Sequence, residues 1–278
     1  MKNPKEDLLL DALNGNINAF QSLFAEFQPQ LKSYLYRLLA NRNDAEDITH
    51  DTFFKAYDKL KTFKGEASLK TWVFQIATSI AYNYLKRRKR WVPDVSEKAK
   101  NLVQGNANLA SRIVKVAQTS DYGKYEIKEH IDTCFTCISK NLLIENQVAL
   151  ILKDIYDFSV KDICLILGKS EGTVKYLLQN ARGSMTDIFD DRCALVNKNG
   201  ACNQCTELNG WLNPKQNQQE ALLKLALVKQ SKKYNRAELY ELRKNLVKAI
   251  DPLKSDGFEL QDILLKCNQM AMGEIAVE

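Results

Sequence analysis

Apolar side chains in the N-terminal part of the chain recur at steps of three and four. Phe20, Leu23, Phe24, Phe27, Leu31, Tyr34, Leu35 and Leu38 follow that spacing, which predicts helices with one buried face. Pro29 fits the first turn of a second helix, where its missing N–H is no loss. Asn43 or Asp44 reads as the N-cap of the next helix. Its stripe is Ile48, Thr52, Ala56 and Leu60, flanked by Phe53 and Tyr57. A short loop over 64–68 precedes a third long helix. The apolar face there is Leu69, Trp72, Val73, Ile76, Ala77, Ile80 and Tyr84. The run Lys86, Arg87, Arg88, Lys89, Arg90 ends it, and Pro93 marks the stop.

The stretch 93–121 is polar and weakly patterned and reads as a linker. A second helical block covers about 125–189. Within it, 160–167 is a short helix, Gly168 and Lys169 form a turn, and Ser170 caps a helix from 171 to about 182. Helix, tight glycine turn and capped helix is a helix-turn-helix layout. A Cys-, Asn- and Gly-rich segment follows over 193–214. The stretch 218–249 reads as a helix through Leu222, Leu225, Leu239, Leu242 and Leu246. Asp251 and Pro252 break it, and a short helix over about 260–272 follows. The expected fold is all-α. Its parts are a helical domain over 1–92, a linker over 93–124, a helix-turn-helix domain over 125–190, a Cys-rich extension over 191–214 and a helical tail over 215–278. No internal repeat is visible.

Composition narrows the class. The 278 residues include 11 Gly and 5 Pro, few breakers for a many-turned β architecture. Hydrophobic residues are 45% and charged residues 27%, which excludes collagen-like and wholly disordered chains. The net charge is +6. Residues 1–15 lack the apolar core of a signal peptide. No stretch approaches the roughly 20 apolar residues of a membrane span. The expected location is therefore the cytoplasm, without membrane contact. The odd count of 7 Cys argues against a disulfide framework there.

Two motifs carry chemistry. Five adjacent cations repel one another unless a polyanion neutralises them, and phosphate does so with counterion release. The polar stripe Ser79, Asn83, Lys86, Arg87 and Arg90 leads into that run and puts base and phosphate contacts on one surface. In the helix-turn-helix, the second helix offers Ser170, Glu171, Thr173, Lys175, Tyr176 and Gln179 to a major groove, with Arg182 near a phosphate. Val174 and Leu177 face the core. The bland alternatives are a solvated helix end and a packing hairpin.

These residues resemble an extracytoplasmic-function (ECF) RNA polymerase sigma factor. Asp44-Ala45-Glu46-Asp47-Ile48 through Phe53, Lys55, Ala56 and Tyr57 resembles the polymerase-clamp-binding segment. Phe63-Lys64-Gly65 through Thr71-Trp72, then Ile76-Ala77 and Tyr84 to Arg88, resembles the promoter-melting segment. Phe158-Ser159, Ile163, Leu167-Gly168, Ser170 to Lys175 and Ala181-Arg182 resembles the −35-reading helix-turn-helix. Thr78-Ser79 stands where Arg-Asn is common, and Asn83 where Asp is common.

The resemblance implies roles. Asp44, Glu46, Asp47 and Asp51 would dock on core RNA polymerase, where complementary charge steers the partner. Phe63, Lys64, Gly65 and Ser68 would hold a flipped −10 base, with Lys70, Trp72, Ser79, Asn83, Lys86, Arg87, Arg88 and Arg90 on the strand. The expected partners are core RNA polymerase and promoter DNA. The tail over 215–278 is either a packed accessory pair or the seat of a regulatory partner such as an anti-sigma or recruiting factor.

The cysteines leave three readings open. Cys134 and Cys137 precede the helix-turn-helix, and Cys202 and Cys205 follow it. Four thiolates satisfy tetrahedral zinc, with His130 and Cys193 as alternates. The set is equally compatible with buried structural thiols or with a redox switch. Metal or redox state would then regulate the factor. No nucleophile motif or phosphate loop is present, so no enzyme is expected. The rival functions are a metal-sensing helix-turn-helix repressor and a metal- or redox-dependent enzyme built on the cysteines.

Overall fold

The structure, a computed structural model, describes residues 4–119, 127–192, 233–255 and 258–277, and the regular elements among them are all helical. The first unit is α1 (Pro4–Leu13), α2 (Ile17–Ala25), α3 (Gln28–Leu39), α4 (Arg42–Asp58) and α5 (Leu69–Leu85). Next come α6 (Val95–Gln104) and α7 (Ala107–Thr119). The second unit is α8 (Ile127–Ser139), α9 (Ile144–Leu150, widening into a π turn over Ile151–Ile155), α10 (Val160–Leu167) and α11 (Glu171–Arg192). Two tail helices follow, α12 (Arg236–Lys248) and α13 (Phe258–Ala271).

Helix starts follow side-chain chemistry. Asn16 caps α2 through the backbone N–H groups of Asn18 and Ala19. Helix α4 begins earlier than Asn43 or Asp44 would place it. Asn41 is extended, and its side chain accepts the Asp44 N–H at 3.1 Å, which leaves Asp44 in the first turn, where the helix dipole favours an acid. Ser68 caps α5 through the Thr71 N–H at 3.0 Å. Ser159 and Asp162 form a capping box at α10, and Gly168 ends that helix at φ +62°, a left-handed position where Gly carries no Cβ penalty.

The polar stretch after Pro93 is helical rather than irregular. Val95, Ala99 and Val103 bury one face of α6, and Leu109 and Ile113 bury one face of α7. Ala99, Val103, Leu109 and Ile113 cluster with Cys267 and Met270 of α13, while Val95 joins the main core. The stripe is too short to stand out locally and becomes a core only when the tail covers it. Elsewhere one contiguous apolar core joins the first unit, the second unit and α12.

Candidate nucleic-acid interface

The outer face of α4 presents Glu46, Asp47, His50, Asp51 and Phe54. Phe54 is 47% exposed. Asp47 and Phe54 line a groove with Ile17, Gln21 and Lys32. Glu46 pairs with Lys32, whose hydrogen bond holds the Glu46 carboxyl below its ordinary pKa. Asp44 differs from these three. It accepts the Tyr84 hydroxyl and lies 3.7 Å from Arg88, so it faces α5.

The loop before α5 leaves Lys64, Gly65 and Ser68 exposed, with Phe63 half-buried against Trp72 at a ring separation of 5.4 Å. Gly65 sits at φ +72°. On α5, Ser79 and Asn83 are exposed and line a cleft of about 640 Å³ with Trp72, Tyr82 and the turn residues Gly168 and Lys169. Lys70 lies 4.9 Å from the Phe158 ring, and its ammonium pKa is lowered by burial. Lys86 and Arg87 are exposed. Arg88 and Arg90 are not free. Arg88 reaches Glu274 at 3.3 Å, and Arg90 donates to the Ser139 carbonyl at 3.2 Å. Burial pushes the Arg90 guanidinium down to about 10.

Ser170, just before α11, and Glu171, Thr173, Lys175, Tyr176 and Gln179 on it are exposed, while Val174 and Leu177 are buried. Ser170 Oγ accepts the Thr173 N–H at 3.2 Å, and Glu171 pairs with Lys175 at 2.7 Å. That spacing puts a polar, partly basic face outward and an apolar one inward. Arg182 turns back instead and donates to Asp154 at 2.9 Å. Asp154 also accepts the Tyr240 hydroxyl at 2.6 Å.

Cys134 is half-buried and Cys137 is buried, both on α8. Asn268 Nδ2 lies 3.6 Å from Cys137 Sγ. Cys193, Cys202 and Cys205 lie outside the described residues, as does the His130 side chain. Among the described residues no cluster of three metal-ligating side chains occurs.

Sequence patterning missed one polar system. Arg37 of α3 donates to Asp132 at 2.9 Å, to the Tyr156 hydroxyl at 2.7 Å and to the Val247 and Ile250 carbonyls at 3.1 and 2.8 Å. Gln261 of α13 donates to the other oxygen of Asp132 at 2.7 Å. Burial alone would lower the Arg37 pKa, but Asp132 and Tyr156 outweigh it and the net shift is upward. The single available signal is a lone cation inside the apolar run Tyr34-Leu35-Tyr36-Arg37-Leu38-Leu39.

Comparison with known proteins places these surfaces in two matched segments. Residues 23–91 match Sigma-70 region 2, and residues 134–185 match Sigma-70, region 4. The chain is 27% identical over 168 residues to the ECF RNA polymerase sigma-E factor of Haemophilus influenzae, covering 60% of this chain and 86% of that one. It is 25% identical over 165 residues to the RNA polymerase sigma factor YlaC of Bacillus subtilis, covering 59% and 88%. The solved structure of CnrH in complex with the cytosolic domain of CnrY aligns at 19% identity and a TM-score of 0.44, over 68% of this chain and 98% of that chain.

Proposed function

Because this chain belongs to the ECF sigma-factor family, we propose that its two matched segments divide promoter recognition between them. As a member of that family it is an RNA polymerase sigma factor that directs transcription initiation, a non-enzymatic role. The observation that carries the residue-level reading is the pair of exposed faces, polar on α11 and acidic and aromatic on α4, each inside its matched segment.

In this reading Asp47, Asp51, Glu46 and Phe54 meet the core polymerase, with charge steering the approach and the exposed ring supplying apolar contact. Phe63, Lys64, Gly65 and Ser68 receive a base turned out of the −10 strand, and Trp72, Ser79 and Asn83 lie along it. Turning a base out costs a few kcal/mol, offset by stacking and hydrogen bonds in the receiving loop. Lys86 and Arg87 neutralise phosphates. Thr173, Lys175, Tyr176 and Gln179 read the −35 groove, and Ser170 and Glu171 hold the helix start. Run-off transcription with core polymerase tests this. The expected result is a promoter-dependent product, and its absence on every cognate template sinks the assignment. A repressor is not favoured, because it has no use for a region 2 segment.

Metal or redox control through the cysteines is a separate part of the proposal. Cys134 and Cys137 stand one turn apart on α8 with an amide donor beside Cys137, a spacing that suits soft-metal ligation supported by an outer hydrogen bond. Cys134 and Cys137 would hold zinc with Cys202 and Cys205, or with His130 or Cys193 in place of one of them. Bound zinc would supply a structural tie between the two ends of the second unit. Metal content of the parent beside a Cys202→Ser/Cys205→Ser variant is the test. About one zinc in the parent and none in the variant is expected, and equal content overturns it.

A further inference from the structure

Glu274 lies just past α13, and its carboxylate is 3% exposed. One oxygen accepts the Trp91 indole N–H at 2.7 Å and lies 3.8 Å from Lys140 Nζ, and the other lies 3.3 Å from Arg88 Nη1. Three donors from the end of the first unit and the end of α8 therefore converge on one anion. The turn that delivers it is specified locally. Gly273 takes φ +70°, its N–H reaches the Met270 carbonyl at 3.0 Å, and the Glu274 N–H reaches the Gln269 carbonyl at 2.9 Å. This is a helix C-terminus closed by a left-handed residue, and it aims Glu274 inward.

The same donors suit a phosphate, since charge-assisted bonds from a guanidinium, an ammonium and an indole N–H serve either anion. Arg88 continues the basic run that carries Lys86 and Arg87. While Glu274 is seated, Arg88 is turned from that run into the interior. The tail is bonded to both units, and Gln261 of α13 donates to Asp132 of α8 at 2.7 Å. Ser33 bonds Asp251 at 2.6 Å, and Arg37 bonds the carbonyls at the end of α12. Across the cleft Thr71 bonds Asp162 at 3.0 Å, and Gln75 donates to the Leu165 carbonyl at 2.9 Å. Lys70 meanwhile faces Phe158. Part of the α5 face proposed for DNA is thus covered by α10.

The α13 seat is polar. Gln261, Asn268 and Gln269 are buried, and Gln261 Oε1, Asn268 Oδ1 and Gln269 Nε2 find no partner among the described residues. Buried polar atoms left unpaired weaken a contact, and polar interfaces within a chain are the ones that separate.

We propose that the C-terminal helix pair is a built-in competitor of DNA, with Glu274 filling in cis an anion site of Arg88, Trp91 and Lys140 while the tail holds the two units closed. The proposal rests on the reading of the basic run as a DNA surface. Promoter DNA and Glu274 then exclude each other at Arg88, and release of the tail accompanies opening of the α5–α10 cleft.

The test uses the full chain and a mixed-sequence single-stranded oligonucleotide. Glu274→Gln is expected to bind about tenfold more tightly than the parent at low salt, because an anion competing for the same cations is removed. In the parent, saturating oligonucleotide is expected to speed hydrogen exchange in α13. That second readout needs no substitution and stands even if the variant folds poorly. Equal affinities with unchanged α13 exchange overturn the proposal, as does no binding by either protein. Run-off transcription with core polymerase separates the two claims. Transcripts from both proteins without an oligonucleotide effect remove the competitor and keep the sigma role. An oligonucleotide effect without transcripts from either keeps the competitor and removes the promoter role.

Discussion

Arg37 and Asp132 form an ion pair whose side chains are 1% and 0% exposed, and it joins α3 of the first unit to α8 of the second. Two charges lose their hydration there, so the pair is favourable only because each remaining donor and acceptor is engaged. Tyr156, Gln261 and the carbonyls of Val247 and Ile250 supply that engagement. Burial pushes the Tyr156 hydroxyl up to about 12, so it stays neutral beside Arg37. The tail is thereby written into the junction of the two units.

Asp132→Asn leaves Arg37 buried without its counter-charge. The expected loss is about 3–5 kcal/mol of unfolding free energy, read from urea titration. Arg37→Met with Asp132→Leu removes both charges and is expected to recover much of that loss. A loss under about 1 kcal/mol for Asp132→Asn would show that the pair does not organise the junction.

Lys140 gives a pH signature. Burial pushes its ammonium down to about 8 from 10.5, against the pull of Glu274, with Arg90 and Arg88 adding to the downward shift and Asp44 opposing it. Between those two values the unfolded chain binds more protons than the folded one, so this contribution to stability rises with pH across that window. Below about pH 8 the penalty of burying the charged amine is fully present. The stability of the parent minus that of Lys140→Met should grow by roughly 3 kcal/mol from neutral pH to the top of the window. A difference that is flat with pH contradicts the buried, charged amine.

Arg87 is exposed beside the engaged Arg88. Replacing it with Ala is expected to weaken promoter binding by the holoenzyme across sequences. The slope of log affinity against log salt should become shallower by about one. An unchanged slope moves the phosphate contact elsewhere.

Asp47 is exposed on the outer face of α4. Asp47→Lys should change stability by no more than about 0.5 kcal/mol. Capture of core polymerase should weaken by about tenfold, since a like charge replaces a complementary one. Capture at parental affinity would remove α4 from the polymerase surface.

Local chemistry was readable in the residues themselves. Spacing of apolar side chains marked α2 to α5, and Gly168 and Ser170 marked the turn between α10 and α11, because periodicity and caps act within a few residues. The exposure of Lys175, Tyr176 and Gln179 and the burial of Val174 and Leu177 follow from the same helical period. The start of α4 was misplaced by two or three residues because Asn41, Asn43 and Asp44 are all competent caps, and only backbone conformation selects among them.

Other features exist only through contacts between residues distant in sequence. The stripes of α6 and α7 read as linker because the face that buries them is α13, far along the chain. Arg88 and Arg90 read as free cations, and Arg182 as a phosphate ligand, because nothing local announces Glu274, the Ser139 carbonyl or Asp154. The amino-acid sequence by itself determined the strongly patterned helices α2 to α5, the turn between α10 and α11, and the resemblance to sigma factors. The tertiary structure alone decided which charges are spent inside the protein, because a side chain's partner depends on where the whole chain brings its ends together.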